Sequence, residues 1–134
     1  MAAQPDFWGE IGSAEVVRTP VSILREQAAL LGKKTKGLVE ATVDTDASGG
    51  RFIHRFKLVV PALDNYTYEL FSISNGIDFY PIEAHGFQNR STFGSMITMS
   101  TLRSEDEFLH WLQEILSSPE TKRIIANILA QATG

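Results

Sequence analysis

Residues 51–85 read RFIHRFKLVVPALDNYTYELFSISNGIDFYPIEAH, and this stretch decides the fold class. Phe52, His54, Phe56, Leu58 and Val60 share one parity; Ile53, Arg55, Lys57 and Val59 share the other. A period of two over ten residues is the pattern of a β-strand. Pro61 cannot donate within a central ladder, so residues 61–65 form a break. Alternation resumes at Tyr66 and runs to Ile73, with Tyr66, Tyr68 and Leu70 set against Thr67, Glu69 and Phe71. Ser74-Asn75-Gly76 is the next turn. A fourth strand is predicted over 78–84, edge or bulged because of Pro81.

Upstream, residues 37–45 place Val39, Ala41 and Val43 on one face and Glu40, Thr42 and Asp44 on the other. Residues 46–50, ending in a Gly pair suited to positive φ, predict a turn, so 37–60 reads as a β-hairpin. Before it, Thr19 suits an N-cap and Pro20 the first helical position. Val21, Leu24, Ala28 and Leu31 make an apolar stripe, which predicts a helix over 20–31 with Gly32 as its cap.

Downstream, residues 86–95 (GFQNRSTFGS) read as a long polar loop, and 96–99 as a short fifth strand. Ser104 and Glu107 form a capping box, opening a helix with Phe108, Trp111, Leu112 and Ile115 on its stripe. Ser118-Pro119 starts a second helix, with Ile124, Ile125, Ile128, Leu129 and Ala132 on its apolar face. The order is therefore an N-terminal helix, an antiparallel meander of four to five strands, and two C-terminal helices packed on the sheet, an α+β class. Residues 1–18 read as an N-terminal arm whose Phe7 and Trp8 dock on the domain or else, exposed, bind a partner, and 19–134 as one domain. Aromatic residues on both parities of 51–60 and 66–73 lead us to expect a second sheet face that is partly covered or forms an interface, including one between copies of the chain.

The 134 residues carry a net charge of −4, which argues against nucleic acid as a general partner. Charge is nonetheless polarised. Residues 18–57 hold eight Lys+Arg and four Asp+Glu, while 58–134 hold four and nine. Cysteine is absent, which excludes disulfides, thiolate metal sites and a cysteine nucleophile. The N-terminus lacks a basic region followed by an apolar run, and no apolar run reaches the roughly 18 residues of a membrane span. A cytoplasmic protein is expected.

No phosphate-binding glycine loop, nucleophile elbow or H-E-x-x-H motif occurs, and His54, His85 and His110 have no metal-ligand spacing. Neither a metal nor another cofactor is expected. His54, among apolar residues, reads first as a core or rim histidine bonded to a backbone carbonyl, and second as a base. Glu83 and His85 point the same way from one strand, so the carboxylate could raise the imidazole's basicity. Gln88, Arg90, Ser91 and Thr92 could bind an anion or a partner through the loop. Tyr66, Tyr68, Phe71, Phe79 and Tyr80 could stack on a planar ligand, though a sheet core explains them better.

These features lead to three expectations. The first is a non-enzymatic protein of accessory, adaptor or inhibitor type, acting through protein–protein contact by the sheet or the 86–95 loop. The second is a small-molecule-binding domain with a pocket between the aromatic sheet and the helices. The third is a hydrolase or isomerase that uses His54 or His85 with Glu83 or Glu69.

Overall fold

The computed structural model describes residues 7–8, 18–86 and 99–134. The chain is an α+β domain: α1 (Pro20–Lys34), then β1 (Glu40–Ser48), β2 (Arg51–Val60), β3 (Tyr66–Asn75), β4 (Ile82–His85) and β5 (Met99–Leu102), then α2 (Glu105–Leu116) and α3 (Pro119–Thr133). The five strands pair antiparallel in chain order. Most of the expected arm, and residues 87–98 of the expected loop and fifth strand, lie outside the described residues. Phe7 and Trp8 are exposed. No helix among the described residues is long and apolar enough to cross a membrane.

Helix α1 starts as expected, with the Thr19 hydroxyl accepting from Ser22 N–H at 3.1 Å. It ends three residues later than Gly32 predicts. Lys36 adopts a left-handed φ of 55°, and its N–H donates to the Lys33 carbonyl at 3.3 Å. Gly37, at φ 79°, donates to the Gly32 carbonyl at 2.8 Å. This is a Schellman closure, and it uses Gly32 as an acceptor within the helix instead of as its cap.

The β1–β2 turn is tighter than the predicted 46–50. Gly49 and Gly50 alone supply positive φ, at 59° and 77°. Asp46, Ala47 and Ser48 therefore stay in the ladder, opposite Ile53, Phe52 and Arg51. The fourth strand is shorter than predicted. Residues 76–81 form a turn with a cis Tyr80–Pro81 bond and Phe79 at φ 68°.

One irregularity reassigns the aromatic residues. Phe56 pairs with Phe71, but Lys57 pairs with Glu69, which leaves Leu70 as the extra residue of a β-bulge. The inserted residue shifts side-chain parity by one. Leu70 and Phe71 are both buried, and Tyr68 and Tyr66 return to the side of Leu58 and Val60. The aromatic residues of β2 and β3 thus share the helix-covered face. Strict alternation had divided them between two faces.

The core lies between this face and the helices. Ile23 and Leu24 of α1, Phe56 and Leu58 of β2, Phe71 and Ile73 of β3, and Phe108 and Leu112 of α2 are all buried. Phe71 stacks on Phe56 at a centroid distance of 4.9 Å and meets Trp111 edge-on at 5.2 Å. Each fully buried side chain of this size contributes about 1.5–3 kcal/mol relative to leaving it in water. The opposite sheet face carries a charged ladder. Arg55 pairs with Asp46 and, at 3.6 Å, with Glu69; Lys57 pairs with Asp44 at 2.6 Å. No described helix covers it, so the expected partial cover of the second face is absent among the described residues, and the face is largely charged.

Candidate functional site

His54 sits on β2, directly opposite Thr45 of β1, because every pair of that hairpin is centred on Gly49–Gly50. The Thr45 hydroxyl lies 2.9 Å from His54 Nδ1, and His54 Nε2 lies 3.0 Å from Asn75 Oδ1 on β3. Asn75 Nδ2 donates to the Gly76 carbonyl at 2.8 Å, which turns Oδ1 toward the ring. Nε2 therefore carries the proton, and Nδ1 accepts from Thr45. The sequence reading had paired His54 with a backbone carbonyl; two side chains hold it instead.

This arrangement keeps the imidazole neutral. His54 is 5% exposed. Burial pushes its pKa below the ordinary 6.5, the Asn75 hydrogen bond opposes that shift, and the positive charge of Arg25 adds to it. A neutral imidazole flanked by two side chains is a rigid donor–acceptor relay, with the Thr45 hydroxyl at its accessible end.

The relay forms one wall of a hollow of about 290 Å³. Thr19, Pro20, Val21 and Arg25 of the first helix line one side, and Phe52 and Phe79 add aromatic walls beside Thr45, His54 and Asn75. Phe79 is held at φ 68°, a conformation that costs a bulky residue of order 1–3 kcal/mol. Arg25 is exposed and makes no ion pair among the described residues. The first turn of α1 contains no acidic residue, and Pro20 and Val21 of that turn line the hollow with the capping Thr19.

The remaining sequence candidates fall elsewhere. Glu83 and His85 alternate with the buried Ile82 and Ala84 of β4, so they point to the uncovered face. Glu69 joins them there through its pairing with Lys57 and its contact with Arg55. The sheet therefore separates His54 from Glu69, Glu83 and His85, and no hydrogen bond joins Glu83 to His85 among the described residues. Gln88, Arg90, Ser91 and Thr92 lie outside the described residues. His110 is exposed on α2, 3.0 Å from Glu114. No group of three or more potential metal ligands occurs among the described residues.

Sequence reasoning missed Arg25, Thr45, Asn75 and Phe79 as members of one site. Thr45 was accessible from the register of a Gly-Gly hairpin, which sets it across from His54. Asn75 was hidden in what read as a turn. Compared with known protein families, curated proteins and solved structures, the chain matches none.

Proposed function

We propose that the protein binds a small anionic molecule, a carboxylate or phosphate with a compact apolar or planar body, in the hollow at the start of α1. The convergence of Arg25, Thr45, His54 and Asn75 on one aromatic-walled hollow carries this reading. Arg25 and the helix start supply positive charge, and the Thr45 hydroxyl supplies a directed polar contact. Phe52 and Phe79 would take the body of the ligand. The volume fits the lower end of small-molecule sites, which span roughly 300–1,000 Å³.

A thermal-shift screen of small carboxylates and phosphates tests it, because a ligand that binds only the native state raises the melting temperature. Ligands that stabilise the native chain should lose their effect in Arg25→Gln. No stabilising ligand at saturating concentration, or one equally effective on Arg25→Gln, would overturn the reading.

The uncovered sheet face favours a second reading, contact with another protein or a second copy of the chain. Ile53 and Val59 lie there, half-buried, among the charges of β2. Ile53→Lys should then abolish self-association or partner capture without lowering the melting temperature.

A further inference from the structure

Helix α1 packs over β1, α2 against β5 and α3, and α3 against the short turn at Pro61–Leu63. Between them Leu31, Leu58, Phe56, Leu70 and Ile125 surround an unfilled space of about 170 Å³. Leu58 is wholly buried, and Phe56 and Leu70 are nearly so, so the apolar surface that the space offers comes from Leu30, Leu31, Leu116 and Ile125. An apolar cavity of similar size, about 150 Å³, takes a benzene-sized group and stays dry.

A wider space of about 590 Å³ lies beside it. The two share Gln27, Lys34 and Leu116. The outer part is rimmed by Lys34 at the end of α1 and Lys122 in the first turn of α3, with Gln27 and Gln113. Among the described residues no acidic one lines either part. In a chain of net charge −4, a mouth with two lysines and no carboxylate is a local reversal of sign. Neither lysine makes an ion pair among the described residues.

We propose that this groove binds a single-chain anionic amphiphile of the fatty-acid type, with its apolar end on Leu30, Leu31, Leu116 and Ile125 and its carboxylate at Lys34 and Lys122. The apolar depth and the cationic mouth select the two ends of such a molecule separately. Lysine stems can cover the chain while their ammonium groups stay in water beside the headgroup. The site is independent of the hollow at Arg25, which lies at the other end of α1.

Calorimetric titration of the full chain with dodecanoate, below its micelle-forming concentration, tests the proposal. Dodecyltrimethylammonium and acetate serve as controls for charge and for the headgroup alone. Saturable binding of one dodecanoate per chain is expected, with the cationic amphiphile and acetate at least about tenfold weaker. The double variant Lys34→Glu/Lys122→Glu should lose at least about tenfold in dodecanoate affinity. Its melting temperature should hold, since both side chains are exposed. Leu116→Trp, at a residue that lines both parts, should weaken dodecanoate binding as well, and Arg25→Gln should leave it unchanged. The proposal is overturned by the absence of saturable binding, by equal affinity for the cationic amphiphile, or by charge reversal without effect. Loss of binding in Arg25→Gln alone would likewise overturn it.

Discussion

The ring of His54 and the amide of Asn75 meet across adjacent strands at 3.0 Å, both almost fully buried. The ring donates and the amide accepts, so each satisfies the other where water cannot. Asn75→Ala should leave the Nε2 proton unpaired and cost about 1–3 kcal/mol, read from urea denaturation at pH 8. A loss below a few tenths of a kcal/mol would mean that the amide is not the ring's partner.

The depressed pKa of His54 makes stability depend on pH in a defined direction. The unfolded chain takes up a proton near pH 6.5, while the folded chain resists it to lower pH. The contribution of the neutral ring is therefore fully present above about pH 6.5. It fades as pH falls through the folded-state pKa. Urea midpoints measured downward from pH 8 should drop in this window, and His54→Gln should drop less steeply across it. Parallel profiles for the two chains would remove His54 as the cause.

Phe56 and Phe71 stack at 4.9 Å and are both buried. Each single change to alanine should cost about 3–5 kcal/mol. The double variant should show coupling of about 0.5–1.5 kcal/mol beyond additivity, the range of a specific aromatic pair. Because such losses approach the total stability of a domain this size, Phe→Leu replacements provide a measurable fallback.

Lys36 occupies a left-handed conformation at the close of α1. Lys36→Gly removes the clash between its Cβ and the backbone, and should raise stability by up to about 1 kcal/mol. Gly37→Ala, at φ 79°, should act in the opposite direction. Chemical denaturation of both variants against the parent checks the pair of signs.

The fold was legible where chemistry is local. Thr19-Pro20, the Ser104 capping box and Ser118-Pro119 fixed three helix starts, and the Gly49–Gly50 pair fixed a hairpin. The Leu70 bulge was not legible, because it depends on which residues β2 offers opposite it and on helices that bury Leu70 and Phe71 together. That one residue explains why parity alone put aromatic residues on both faces. The candidate site followed the same division. His54 stood out by type, and its partner Thr45 follows from hairpin register. Asn75 and Arg25 arrive only through the third strand and the packing of α1, neither of which leaves a local mark.

The strand order of the sheet repeats the order of the chain. No strand has to be threaded between two others already in place, so assembly and disassembly both proceed from the margins. Among the described residues only β1 and β5 have a free side, and each holds the sheet by a single ladder. The amides slowest to exchange with heavy water should then lie in the β2–β3 pair, where opening requires the whole domain to come apart. A lesion in β5 removes one margin, whereas a lesion in β3 cuts the sheet in two.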